Sequence, residues 1–505
     1  MEVNMKKFIA LFLLIALALS VLAACNNTAE TSQTSETGKT EESQPETSVN
    51  PNSEWQDANG KWVPKHEVKD LSDKTFRIIV RGDVAGTYQS DDFTYGEDTS
   101  GLYGDLLGDA VKERNALIEQ IYGVTLEVVR SNSIANDIRN DITNNLGDYD
   151  AIMPTMTVLA DLAAEDMLID LTSIENFDIY APWYDANATK AFSIHNQVYF
   201  TTGDITILNK VCSPSILFNK EMVTNYGLEN PYDLVRNHKW TFDKLMEMGK
   251  AVSSTTNEDV FQNTYGMLTT YDDPFNFWGQ TGELIVDKDG DDMPYLKIGQ
   301  EQRSINVATK LLDEYANGDD WLIFASDPAF ASNMWVESLR LFSEGHALFR
   351  PSAFSATTKL RKNSDLVFGI LPCPLYDETQ EKYVSYCGSS EVAGIAIPKS
   401  ALDIDFSAYM IDACSAYAKN TITHAYYDVN LVLKDASYDT DSVEMLDIIF
   451  DNIVYDLGEC YNIGGIKGQF RSLASARSTD IVSALATVKD TAETKLQELI
   501  EQFED

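Results

Sequence analysis

Between residues 76 and 153 the hydrophobic period alternates between that of a strand and that of a helix, and this restricts the fold more than any other feature of the chain. Residues 76–80 are a short apolar run. Leu106, Leu107, Ala110, Val111, Leu117, Ile118 and Ile121 then recur at helical spacing, and Gly123 supplies the stop. A second apolar run covers residues 125–129. Ile134, Ile138, Ile142 and Leu146 form an i,i+4 stripe closed by Gly147, and residues 149–153 are a third run. Strand–helix–strand–helix–strand predicts an α/β domain with parallel strands, because a parallel pair needs a crossover about as long as a helix. In such sheets ligands sit beyond the carboxyl ends of the strands. That rule selects residues 81–103, 130–133 and 154–157. The first stretch carries Asp83, Tyr88, Asp91, Asp92, Phe93 and Tyr95, and a loop so long inside a folded domain is functional or disordered.

The N-terminus places this domain in a compartment. Lys6 and Lys7 precede an apolar run over residues 8–19, then Ser20, Val21, Leu22, Ala23, Ala24 and Cys25. A basic segment, an apolar segment and small residues before a cut describe a secretory signal, and the run is marginal for a membrane span of about 20 residues. Leu22-Ala23-Ala24-Cys25 resembles a bacterial lipobox, which implies that Cys25 carries the lipid. Two acyl chains, at about 0.8 kcal/mol per buried CH₂, hold a protein on a bilayer where one does not. Thr, Ser, Glu, Gln and Asn dominate residues 26–52, which predicts a disordered tether. Residues 55–68 read as a transition, with the globular fold starting near Asp73.

Lys and Arg number 38 against 79 Asp and Glu in 505 residues, a formal charge of −41. Such a field repels phosphate backbones and anionic bilayers, so nucleic acid is excluded as a partner and membrane contact is left to the lipid. The length is too great for one ordinary domain. Cys212, Cys373, Cys387, Cys414 and Cys460 are an odd number without a C-x-x-C pair; buried thiols are expected, with a Cys373–Cys387 bridge as the alternative. The five histidines are dispersed, and neither a metal-binding helix motif, a nucleophile elbow nor a phosphate loop is present. No cofactor or metal is expected. Asp287-Lys288-Asp289-Gly290-Asp291-Asp292 opens like a calcium loop, but Ile298 stands where the closing glutamate belongs, so a hairpin turn is predicted.

Several segments then fall in a familiar order: YDAIMP (149–154), NQVYFTTGDIT (196–206), LFNKEMVTNYGLENPYDLV (217–235), WTFDKL (240–245), FSEGHALF (342–349), FGILPCPLYDE (368–378) and VAGIAIPKSA (392–401). Behind a lipobox, this order resembles the family 1 extracellular solute-binding proteins, the lipoprotein receptors of ATP-binding-cassette importers, especially of the carbohydrate type. The resemblance implies two α/β lobes with a ligand cleft between them and discontinuous chain. One lobe is expected over residues 74–203 and 392–434, the other over 204–391 and 435–505. Gly203, Gly388 and Gly394 stand near the crossings, where glycine tolerates the changes a hinge absorbs. A monomer that passes a sugar to membrane permease subunits is implied. The alternative is a surface lipoprotein that degrades or adheres to glycans.

A sugar receptor supplies carboxylates or amides for adjacent hydroxyls and flat rings for the sugar face. Arg81 and Asp83 follow the first strand, and Thr155 follows the third. Trp183 and Tyr184 are expected near the cleft mouth, with interlobe packing as the rival role. Trp278 is flanked by glycine and polar residues. Ser352 and Phe354 follow the GHALF strand, where the family places an aromatic contact. Tyr386 and Glu391 flank the second crossing and Asp204 the first, with hydrogen bonding to the crossing backbone as the rival.

Overall fold

A computed structural model describes residues 53–82, 91–94, 104–327, 330, 334–363, 365–427 and 440–504. The alternating pattern at the start forms as its periods dictate. Strand β1 (Thr75–Arg81) lies between β2 (Thr125–Ser131) and β3 (Ala151–Met153), parallel to both. The helices Gly104–Tyr122 and Ile134–Asn144 connect them. Gly123 at φ +71° ends the first, and Asn145, left-handed at φ 49°, ends the second ahead of Gly147. That early stop leaves Leu146 48% exposed, and Leu106 is 60% exposed, so neither joins the buried stripe its spacing suggested.

The second sheet has the order β10-β4-β9-β5-β8. Its strands are β4 (Pro214–Asn219), β5 (Tyr265–Thr269), β8 (Leu322–Phe324), β9 (Ala347–Ala353) and β10 (Phe368–Leu371). β9 runs parallel to β5 and antiparallel to β4, giving a mixed sheet. Two short pairs complete the set: the antiparallel hairpin β6 (Val286–Lys288) with β7 (Pro294–Leu296), and β11 (Ser385–Tyr386) with β12 (Ile453–Val454). The hairpin turn at residues 287–292 is therefore realised. The helices Ile466–Ser475 and Ile481–Glu504 pack on the helix Gln302–Asn317 of the second group. Two sheets with their own helices make a two-lobe α/β fold.

Two segments far apart in the chain lie side by side next to the first sheet. Thr201 pairs with Ile395, and residues 393–396 run antiparallel beside β3 through Thr155–Ala393 and Ile152–Ala396 bridges. Close approach, rather than a positive φ, requires the glycines here. A Cβ on Gly203 would lie 2.1 Å from the Trp183 carbonyl oxygen, and one on Gly394 would lie 2.6 Å from the Leu159 side chain.

The fold begins earlier than Asp73. Trp55 is buried edge-on against Trp183 at 5.1 Å, with the Lys65 ammonium 3.5 Å from the Trp55 ring centre. Asn420 exchanges hydrogen bonds with the Trp62 backbone at 2.9 and 2.7 Å, and the Tyr409 hydroxyl donates to Glu67 O at 2.8 Å. Residues 53–72 are thus a strap fixed to the first lobe, a correction to the transition expected there. Cys373 and Cys387 are free and buried rather than bridged. Among the described residues no helix is long and apolar enough to cross a membrane.

Candidate functional site

A cavity of about 370 Å³ opens where elements of both lobes meet. From the first lobe come Thr157 and Asp161, on the helix Met156–Ala164 that follows β3. Ser390 enters from the second crossing. Ile285, Glu459, Asn462, Ile466, Lys467 and Lys495 close the other side. The volume lies toward the lower end of small-ligand sites, roughly 300–1,000 Å³.

The polar groups of the wall are held by named bonds. Glu459 Oε2 accepts the Ser389 N–H at 2.9 Å, while its Oε1 pairs with Lys467 Nζ at 3.1 Å. Lys495 Nζ donates to Tyr461 O at 2.6 Å. The first N–H groups of the helix Met156–Ala164 are met by the crossing itself, through Met156 N–H to Val392 O at 3.0 Å. The segment between Asn462 and Ile466 turns sharply, with φ of 49° at Asn462, 64° at Gly464 and 58° at Gly465. A Cβ at Gly464 would lie 2.8 Å from the Ala492 side chain, so glycine is needed there for both reasons. Asp456 fixes the Ile285 wall by accepting the N–H groups of Ile285 and Gly458, both at 2.7 Å. Burial pushes the Asp456 carboxyl up to about 7, against the lowering effect of those bonds. Hydroxyl, carboxylate, amide and ammonium groups therefore face one polar space, a set suited to a ligand rich in hydroxyls.

Two of the residues singled out by sequence meet each other, although neither lines this cavity. Buried Arg81, at the end of β1, donates from Nη2 to the Glu391 carbonyl at 3.0 Å, although 310 positions separate them. Thr155 precedes the helix Met156–Ala164 and shares a hydroxyl contact of 3.1 Å with Thr157. Asp83 and Cys25 lie outside the described residues.

Most of the remaining candidates are packed into the lobes. Trp183 is 0% exposed and donates from Nε1 to Asp412 Oδ1 at 2.8 Å; the Tyr184 hydroxyl shares that acceptor at 3.3 Å. Their rings are covered by the first lobe and by the strap, so they offer no face to a ligand. Trp278, also 0% exposed, stacks on Phe275 at 5.7 Å and contacts Phe470 at 5.6 Å. Phe354 lies between Phe450 and Tyr426 at 5.5 and 6.3 Å, and Ser352 accepts from Arg350 Nη1 at 2.6 Å. Tyr386 is buried over Gly279 and donates its hydroxyl to Asp456 Oδ2 at 3.3 Å. Asp204 bonds Lys419 Nζ and the Thr423 hydroxyl at 2.8 Å each and lies 3.6 Å from Lys210 Nζ. Burial alone would raise its carboxyl, but the two ammonium groups outweigh burial and hold it below the usual range. In this structure these side chains are engaged in packing, ion pairs and hydrogen bonds with other side chains of the protein.

The wall formed by Glu459, Asn462 and Lys467 was not found from sequence. Its one local signal is Asn462-Ile463-Gly464-Gly465, a tight turn breaking an otherwise apolar, helical stretch.

Comparison with known proteins agrees with this architecture. The family model described as bacterial extracellular solute-binding protein matches residues 111–401, more than half of the chain. Among solved structures, the sugar-binding protein MalE from Xanthomonas citri superposes with a TM-score of 0.57 at 15% identity, covering 86% of this chain and 100% of its own. The ABC substrate-binding protein Lmo0181 from Listeria monocytogenes, solved with cycloalternan, gives 0.52 at 14% identity, covering 85% and 100%. The GacH receptor of Streptomyces glaucescens, solved unliganded and with acarbose, gives 0.52 at 13% identity, covering 86% and 99%. No curated protein sequence matches the chain.

Proposed function

The chain belongs to the bacterial extracellular solute-binding protein family, the solute receptors of ATP-binding-cassette importers, and from that premise we propose that it captures a sugar or oligosaccharide and releases it unchanged to a membrane permease. The observation that carries the reading is the polar cavity walled from both lobes. A solute can favour lobe closure only through contacts that both lobes make with it together, and this cavity supplies them. The similar structures bind sugars or carry sugar-binding names, which supports a carbohydrate as the solute.

In this reading the lobes comprise residues 74–203 with 392–434, and 204–391 with 435–505, with the strap added to the first. Thr157, Asp161, Glu459, Asn462 and Lys467 contact the solute. Arg81, Thr155 and Glu391 border it, and Asp83 joins them by position after β1. The family works outside the cytoplasm, and the lipobox-like sequence ending at Cys25 supplies the anchor.

Asp161 is exposed on its helix, so replacing it should leave the solute-free protein intact, whereas Lys467 pairs with buried Glu459 and its replacement should also cost stability. A thermal-shift screen over neutral oligosaccharides identifies a ligand, since binding to the native state raises stability. Calorimetric titration of Asp161→Ala and Lys467→Met should then show affinity weakened by roughly 1.5–3 kcal/mol each, the scale of hydrogen bonds to charged groups, with unchanged melting temperature in Asp161→Ala. Wild-type affinity in both variants removes this cavity as the solute site.

A further inference from the structure

The aspartate-rich turn at residues 287–292 has no part in the cavity, yet it is bonded to the opposite lobe. Hairpin β6–β7 belongs to the second lobe, where Ile285 is tied to Asp456 and β7 packs on the helix Ile481–Glu504. Its tip meets the turn at residues 190–197, which the first lobe holds at its end through Leu171 N–H to Val198 O at 2.8 Å. Asp292 binds this turn with three acceptors. Its carbonyl accepts His195 N–H at 3.1 Å, its Oδ2 accepts Asn196 N–H at 2.9 Å, and its Oδ1 accepts the Ser193 hydroxyl at 2.9 Å. Lys288 Nζ donates to Ser193 O at 2.9 Å, to Ser193 Oγ at 2.7 Å and to the Lys190 carbonyl, and pairs with Asp292 Oδ1 at 2.6 Å.

The geometry is specific on both sides. His195, Asn196 and Asp292 all adopt left-handed backbone, with φ of 53°, 62° and 63°, which aims two successive N–H groups at Asp292, one at its carbonyl and one at its carboxylate. The clasp is nevertheless reversible in its chemistry. The Lys288 and Asp292 side chains are 13% and 18% exposed, so on separation both ions return to water. The neighbouring lobe contacts differ: Phe192 against Tyr455 and Phe200 against Tyr461 are buried ring contacts that water would not replace.

We propose that the Lys288–Asp292 clasp is a latch between the lobes, made in the closed arrangement and broken when the lobes part, so that it sets how much of the solute-free receptor is closed. This rests on the reading of the chain as a receptor that closes over its solute. When only one arrangement binds well, apparent affinity scales with the fraction of protein already in it. The latch therefore raises affinity without touching the solute.

The test is a distance measurement that needs no solute. Spin labels at Tyr180→Cys, in the first lobe, and Tyr226→Cys, in the second, occupy exposed positions. In the solute-free parent the distance distribution should contain the separation seen in this structure. Lys288→Met combined with Asp292→Asn, which keeps a residue tolerant of left-handed backbone, should reduce that population about tenfold, as expected for lost charge-assisted hydrogen bonds. Lys288→Arg, which retains the donors, should keep it. An unchanged distribution in the double variant overturns the latch, and so does a parent whose solute-free form lacks the closed distance. Maltotetraose separates this inference from the functional reading: if it stabilises the parent, its affinity should fall by the same factor in the double variant. If the latch behaves as described but no oligosaccharide binds, the carbohydrate reading fails and the latch stands.

Discussion

His66 and Asp412 approach to 3.4 Å between the strap and the helix Ile404–Ala418, the separation of an ion pair. Burial drives both toward their neutral forms instead. It pushes the Asp412 carboxyl from 3.8 up to about 7, outweighing the bonds from Trp183 and Tyr184, with Asp178 adding to the rise. It lowers His66 from 6.5 to about 4, against hydrogen bonds to nearby backbone, with Lys69 adding to the fall. The two shifts have opposite consequences. A carboxyl raised on folding contributes stability at low pH that is lost as pH rises from about 4 to 7, because the folded state holds the proton longer. An imidazole lowered on folding contributes stability at high pH that is lost as pH falls from about 6.5 to 4. Within the shared window one extra proton on Asp412 offsets one fewer on His66, so the pair adds little pH dependence. Single substitutions should unmask each side. Relative to the parent, His66→Gln should lose stability as pH is raised from 4 to 7, and Asp412→Asn as pH is lowered from 6.5 to 4, each by a few kcal/mol at the far end. Melting curves across that range provide the readout, and slopes parallel to the parent's in both variants would show that neither group is shifted by burial.

At the scale of elements, what the sequence made legible depended on periodicity. The helix Gly104–Tyr122 and β1 to β3 are regular, and alternation of apolar positions reports regular elements even when their ends move by a few residues. The strap has no period. It is held by single anchors, Trp55 on Trp183 and the Trp62 backbone on the Asn420 side chain, and a lone tryptophan in polar sequence looks the same whether or not it has a tertiary surface to bury against. The wall of Glu459, Asn462 and Lys467 was hidden for a related reason: it is made at a left-handed turn between short helices, where no repeat marks the functional groups. Conversely, Trp183 and Trp278 stand in polar-looking sequence yet are fully buried, because their indole N–H groups find Asp412 and the Ser304 carbonyl. The strap makes a testable contrast with the segment before it. Removing residues 27–52, whose composition predicts a tether, should leave the melting temperature unchanged. Trp55→Ala should cost roughly 3 kcal/mol, the scale for truncating a buried aromatic ring. Calorimetry on the two proteins decides; a Trp55→Ala variant as stable as the parent would mean that the strap is not part of the folded core.

For the molecule as a whole, long-range placement came from order along the chain rather than from any local signal. Nothing near Arg81 announces that its guanidinium will meet the Glu391 carbonyl, and the pairing follows only once the chain has crossed between lobes and returned beside β3. The whole-molecule charge has a consequence for where the receptor resides. At −41, the chain is repelled by an anionic bilayer, and among the described residues no helix is long and apolar enough to cross one. With lipid on Cys25, as proposed, the acyl chains hold the protein at the membrane, since they contribute about 0.8 kcal/mol per buried CH₂ and two of them hold a protein durably. Cys25→Ala should therefore move the receptor from the membrane pellet to the soluble fraction while leaving its melting temperature and solute affinity unchanged. Raising the salt concentration separates this from ionic adsorption, because screening weakens charge contacts between exposed groups and leaves acyl chains in place. The parent should stay in the pellet through a high-salt wash and the variant should not. A variant that remains there would show that a surface of the folded protein, or a partner already in the membrane, holds it, and the lipid anchor would lose its role.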